Sequence, residues 1–281
     1  MTLALHGKSK TRQGWLIAIA IAMVAFAALA GAGALSGGGD AKAAGTVVVT
    51  PSNLNGWQII PDGTVPYAFV QGPAALGSGS LQFGPIAVTP AANKFIMYSP
   101  YSGLASALTS FSYQFFIDPA SVDGAAGAQN FYVNVYVDDS SNGIGTFAGG
   151  TGFYDCRYDS VPSSGLVNGW TTNSFNQSST WTNIGDRTGS CPATLAGLAA
   201  GSTVRFVALN GGQSTSTDAG LKGGYDNVVI TVGADTTTYD FEPAVGPPTE
   251  KDQCKKGGWM TFNSPSFPDQ GTCVSYVNNH S

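Results

Sequence analysis

Between residues 44 and 243 short apolar and aromatic runs alternate with clusters of Gly, Pro, Asn, Asp and Ser. Clear examples are Thr46–Thr50, Tyr67–Gln71, Lys94–Ser99, Ser110–Asp118, Asn130–Asp138, Thr203–Asn210, Tyr225–Val232 and Thr236–Glu242. In Phe131–Val137 the odd positions are Phe or Val, while Tyr132, Asn134 and Tyr136 carry polar tips. A pleated strand turns two such sets to opposite faces, one toward a core and one toward solvent or a groove. Phe111, Tyr113, Phe115 and Ile117 alternate with Ser112, Gln114 and Phe116 in the same fashion. About a dozen segments of this kind, punctuated by turn residues, predict an all-β fold: an antiparallel two-sheet jelly-roll sandwich. An immunoglobulin-like sandwich fits less well, because the runs outnumber its strands and no Cys–Trp–Cys core spacing occurs. Helical patterning is confined to Leu104–Leu108 and Pro192–Leu198, too little for sequential βαβ units.

The pattern changes at both ends. Lys8, Lys10 and Arg12 precede the uncharged stretch Gly14–Leu35, and Ala41-Lys42-Ala43 follows it. A positive cluster, an apolar run and an A-x-A site are the parts of a secretory signal peptide, expected to span 1–43 with cleavage after Ala43. The same stretch is long enough to be retained as a membrane anchor, and that alternative stays open. After the sandwich domain, 44–243, residues 244–253 read as a Pro- and Gly-containing linker, and 254–281 form a short cysteine-bearing module. So short a segment does not close a core unaided, so the module needs its disulfide or must dock on the sandwich. Two short helices are expected there, with Asp252 and Asp269 near their positive N-terminal ends; a small hairpin is the alternative.

Composition narrows the classes. The 38 glycines and 15 prolines rule out a coiled coil, and an aromatic content of 11% rules out a disordered polar chain. Setting aside Asp40 and the bases Lys8, Lys10, Arg12 and Lys42 leaves sixteen acids against eight bases. That balance argues against nucleic acid and against an anionic lipid surface as partners, so no membrane association is expected once the signal is removed. All four cysteines lie in the part expected to be exported, where an even count reads as disulfides. Nearest-neighbour pairing predicts Cys156–Cys191 and Cys254–Cys273; the other two connectivities would tie the tail to the main domain. Metal ligation by these cysteines is the poorer reading, since there is no C-x₂-C pair and no histidine nearby.

Catalytic chemistry is thinly represented. His6 lies in the targeting segment and His280 is the penultimate residue, which excludes a Ser-His-Asp or Cys-His apparatus from the folded body. No phosphate-cradling glycine loop occurs, and the Gly-rich string 143–150 reads as a mobile loop. Hydrolysis by a carboxylate pair would have to draw on Asp138, Asp139, Asp155, Asp159 or Asp186, all near strand ends, where aspartate ordinarily forms turns. Binding of a sugar needs aromatic faces and planar polar groups on a stiff surface. Tyr132, Asn134 and Tyr136 share one strand face; Gln114 and Arg205 on other strands are expected to join them, with Tyr158, Trp170 and Trp181 at the rim. A structural calcium ion is a further possibility, with Asp226, Asp240 and Glu242 as oxygen donors; no other cofactor is expected.

Two stretches carry a family likeness. The closing segment, with Cys254, Gly257-Gly258-Trp259, Phe262, Phe267, Gly271 and Cys273-Val274-Ser275-Tyr276-Val277, resembles a short C-terminal module found on secreted proteins of actinobacteria-like organisms. Gly56-Trp57, the stretch Gly72–Phe83, and Gly223–Val232 followed by Thr237–Pro243 resemble exported bacterial jelly-roll, concanavalin-like domains. The resemblance implies placement outside the cell and, for many such domains, sugar binding. The expected function is therefore that of a secreted, non-enzymatic β-sandwich that binds a glycan or wall polymer or acts at the cell surface. The alternatives are a structural envelope protein without a ligand and a carboxylate-dependent polysaccharide-degrading enzyme.

Overall fold

The computed structural model describes residues 45–280 apart from 62–64, 88–93, 122–130, 143–153, 161–167, 213–218 and 263–264. The expected signal segment, 1–43, and the glycine string 143–150 lie outside the described residues.

In chain order the strands are β1 (Gly45–Val49), β2 (Gln58–Ile59), β3 (Tyr67–Gln71), β4 (Gly79–Phe83), β5 (Phe95–Tyr98), β6 (Gly103–Leu104) and β7 (Leu108–Ile117). They continue with β8 (Phe131–Asp138), β9 (Cys156–Asp159), β10 (Trp170–Asn176), β11 (Asn183–Asp186), β12 (Thr203–Gly211), β13 (Gly223–Val232) and β14 (Asp235–Phe241). The fold is the all-β, two-sheet jelly-roll sandwich that the alternation predicts. In the first sheet β13 is central, flanked by β7 on one side and by β14 and β4 on the other, with β1, β3 and β10 outside them. The second sheet runs β11-β9-β8-β12-β5-β2, with β6 added at the start of β12. All pairings are antiparallel except β1 with β14.

Period-two alternation decides what the sheets enclose. On β8 Phe131, Val133, Val135 and Val137 are all fully buried, and Phe111, Tyr113, Phe115 and Ile117 of β7 face them from the other sheet. Rings join the layers: Phe83 stacks on Phe95 at 4.7 Å and Phe115 on Phe131 at 4.4 Å. Burying each such ring removes it from water at roughly 1.5–3 kcal/mol, the main source of cohesion. The two helix expectations in this domain shrink to single 3₁₀ turns, Ala105–Ala107 and Leu195–Gly197, because each has only a few residues before an extended segment begins.

Disulfides join Cys156 to Cys191 and Cys254 to Cys273. The C-terminal module has a kinked 3₁₀ segment, Lys251–Thr261, and helix α1, Gln270–His280. A capping box between Glu250 and Gln253 starts the first. Asp269 accepts the Thr272 amide at 2.7 Å at the start of the second. Cys254, Phe262, Phe267, Cys273 and Val277 form its own small core.

Candidate functional site

The outward face of the second sheet carries the set of side chains most suited to a ligand. Register places them in rows. Asn134 of β8 lies beside Asp159 of β9 and Ala208 of β12, with Asn183 of β11 beyond Asp159 and Tyr98 of β5 beyond Ala208. One row along, Tyr136 lies between Arg157 and Phe206, with Gly185 beyond Arg157. On the other side, Tyr132 is beside Asn210.

A hydrogen-bond relay stiffens the polar part. Asp159 accepts from both Nε and a terminal nitrogen of Arg157 at 2.8 Å, from Asn134 Nδ2 at 2.6 Å and from Asn183 Nδ2 at 3.0 Å. Asn210 Nδ2 in turn donates to Asn134 Oδ1 at 2.9 Å. Asn134 and Asn210 are buried, so their amides are held in one orientation rather than left to rotate. Burial works against the charge on Arg157, but the hydrogen bond and charge of Asp159 outweigh it and hold the guanidinium protonated more firmly than usual.

The aromatic part lies alongside. Phe206 meets Tyr98 edge-on at 4.9 Å and Tyr136 at 4.7 Å, and Tyr136 meets Tyr154 at 5.3 Å. Ala208, between Asn134 and Tyr98, is fully buried. Burial, with the Tyr98 phenol nearby, pushes the Tyr136 hydroxyl well above its ordinary value, so it remains a neutral donor and acceptor. The half-buried rings offer apolar faces for the C–H surfaces of a sugar, and the buried amides of Asn134 and Asn210 fix the strands beneath them.

Of the eight residues expected to line a sugar site, the structure gathers Tyr132, Asn134, Tyr136 and Arg205 on this face. Arg205 sits at a bulge in β12 and pairs with buried Asp138 at 3.6 Å. The other four lie elsewhere. Gln114 belongs to β7 in the first sheet, whose outward face points away from the second; there it bonds Thr172 and Asn227. Trp170, on β10 of that sheet, packs on Phe116. Tyr158 shares the inward parity of Cys156 and is fully buried, and Trp181 packs against it and Phe175. Alternation within β9 therefore turns Arg157 and Asp159 outward instead, and these, with Tyr98, Asn183, Phe206 and Asn210, are residues the sequence reading did not assign to a sugar-binding face. Cys156 was the available signal: a cysteine in a buried bridge marks the inward phase, and its neighbours one and three positions on face out.

The aspartates weighed as a hydrolytic pair are each engaged by donors. Asp139 accepts from Ser141 and Ser202, Asp155 from the Asp139 amide, and Asp186 from the amides of Thr188, Gly189 and Cys191. Asp138 and Asp159 are paired with arginines.

The three acids weighed for calcium do converge, beneath the turn between β3 and β4. Asp226 accepts the amides of Ala75, Leu76 and Phe241, and Glu242 accepts the amide and hydroxyl of Ser78. Gly77 leaves no room for a side chain: a Cβ there would lie 1.8 Å from Glu242 Oε1. With both oxygens of Asp226 and of Glu242 directed at donors, Asp240 is left with Oδ1 buried and without a hydrogen-bond partner. Burial, reinforced by the charges of Asp226 and Glu242, raises its carboxyl to about 7. Among the described residues no group of three or more His, Cys, Asp or Glu side chains is arranged to hold a metal ion.

The chain matches no protein-family profile and no curated protein sequence. Solved structures that resemble it include the first CBM22 xylan-binding domain of Paenibacillus barcinonensis Xyn10C, at 16% identity over 63% of this chain and 86% of that one, TM-score 0.35. The second CBM22 domain of the same protein gives 15% identity over 64% and 94%, TM-score 0.31. The CBM22-1–GH10 modules of Clostridium thermocellum endo-1,4-β-D-xylanase 10B, complexed with xylohexaose, give 14% identity over 64% of this chain, TM-score 0.33. The matching region spans only 26% of that two-module structure. At these scores the likeness says nothing about what this chain binds.

Proposed function

We propose that this protein is an exported, non-catalytic β-sandwich that retains a polysaccharide on the outward face of its second sheet. The observation that carries the reading is the juxtaposition on one rigid face of Tyr98, Tyr132, Tyr136 and Phe206 with the bonded amides Asn134 and Asn210. Export is supported by the charge, apolar run and A-x-A site of residues 1–43 and by two disulfides that use every cysteine. The C-terminal module belongs to the same reading as a surface-acting appendage, in keeping with the motif it resembles.

The test is affinity electrophoresis through gels carrying different soluble polysaccharides, backed by calorimetry on any that retard the protein. Tyr132→Ala and Tyr136→Ala are each expected to weaken retention by at least about tenfold, the loss of one well-packed aromatic contact, while the melting temperature stays near wild type. Absence of retardation by a broad panel of plant and bacterial polysaccharides would refute the assignment.

A further inference from the structure

A cavity of about 490 Å³ opens between the sheets at one edge of the sandwich. β10, the edge strand of the first sheet, forms one wall, and Ser160, just past β9 of the second sheet, forms part of the other. On most strands the inward positions are apolar or aromatic. Around this cavity polar residues take them: Asn173 shares the inward phase of Phe175, and Ser160 continues that of Cys156 and Tyr158. The hydroxyl of buried Tyr113, on β7, joins the two. Asn173 Nδ2 donates to it at 3.2 Å, and it shares a hydrogen bond with the Ser160 hydroxyl. Ser160 Oγ also accepts the Val133 amide at 2.9 Å, which fixes its direction. Burial pushes the Tyr113 hydroxyl up to about 12 against the pull of those two bonds, so it stays neutral.

The mouth is built in advance. Residues 177–182 cross from β10 to β11 and are fastened along their length. Gln177 Nε2 donates to the carbonyls of Ala105 and Leu108 at 2.7 and 2.6 Å, Ser179 Oγ accepts the Asn176 amide at 2.9 Å, and the Thr182 amide meets the Asp159 carbonyl at 3.0 Å. This crossing carries Trp181, which lies 5.1 Å from Phe175 and lines the cavity with it, while Ser178, Ser179 and Thr180 add hydroxyls. Among the described residues that line the cavity none is charged. Such a recess has nothing to offset the desolvation of a phosphate, a carboxylate or an ammonium group. Hydroxyls and carboxamides beside an aromatic wall, in a space of this size, suit a small neutral molecule that carries many hydroxyls.

We propose that this recess is a second ligand site, which takes an uncharged mono- or disaccharide unit. It shares no residue with the sheet face to which polysaccharide binding is assigned, and it stands or falls independently of that reading.

The test uses residues 44–281, the expected mature chain, titrated with methyl glycosides of neutral pentoses and hexoses and with cellobiose and maltose, and followed by nitrogen–proton NMR. The indole N–H signal of Trp181, assigned by its loss from Trp181→Phe, is expected to shift and saturate with at least one of these sugars, at a dissociation constant of about 1 mM or below. Thr180→Arg fills the mouth from an exposed position, and Tyr113→Phe removes the inner hydroxyl while keeping the ring. Each is expected to weaken that sugar at least about tenfold in protein that still melts cooperatively, the scale of one lost contact in a small site. Absence of a saturating shift with every sugar overturns the proposal, and so does a shift that either variant leaves in place. Binding that is lost in Tyr136→Ala and kept in Thr180→Arg places the sugar on the sheet face and overturns the recess as a site. Loss of polysaccharide retention with the Trp181 shift intact refutes the sheet-face reading and leaves the recess standing.

Discussion

Asp240 shows how one residue's ionisation is set by neighbours that are remote in sequence. Its carboxyl, raised to about 7 by burial and by Asp226 and Glu242, keeps its proton in the folded chain where an unfolded aspartate, near 3.9, has lost it. The folded state therefore binds more protons between about pH 4 and pH 7, and stability declines as pH rises through that window. Thermal melts from pH 5 to pH 8 should show a falling melting temperature. Asp240→Asn, which keeps the shape and removes the charge, should flatten the decline and raise the pH 8 value by about 2–4 °C for each kcal/mol recovered. A wild-type profile that rises toward pH 8 would contradict this. The sequence placed Asp226 on one late strand and Asp240 and Glu242 on the element after it, but the turn they hold, at Ala75–Ser78, lies some 150 residues earlier for Asp226. Nothing local announces such a contact.

Elements differ in how openly they display their orientation. β8 is legible because its inward positions are all aliphatic or phenylalanine and its outward ones all polar-tipped, so only one phase buries the apolar set. β9, Cys156–Asp159, is four residues long with an amphipathic tyrosine in it, and two phases look equally good until the bridge to Cys191 is taken into account. That bridge closes a span of 35 residues, and the Cys156→Ser/Cys191→Ser variant should lose roughly 3–4 kcal/mol of stability in urea titrations. Because β9 also carries Arg157 and Asp159, the proposed glycan affinity should fall in the variant under conditions where the rest of the sandwich remains folded. Stability indistinguishable from wild type would show that packing alone holds β9 in place.

At the scale of the whole molecule the described residues form two cores with no residue in common, one between the sheets and one within the C-terminal module. Five buried side chains are too few to fold the module without a cross-link. Cys254→Ser/Cys273→Ser should therefore remove the helical signal of α1 at room temperature, while the main melting transition of the sandwich keeps its midpoint; a common downward shift of both would show that the two cores fold as one. The strands, their inward and outward sets and the short helices of the tail could be read from the chain because period-two alternation, capping residues and turn chemistry act over a few residues. Which strands became neighbours could not. The ladders that bring Arg157 beside Tyr136, and Phe206 beside Tyr136 on its other side, join segments tens of residues apart. Such pairings are chosen by the burial of two whole sheet faces against each other, a free energy that belongs to no single stretch of sequence. The make-up of the face to which we assign binding was decided there.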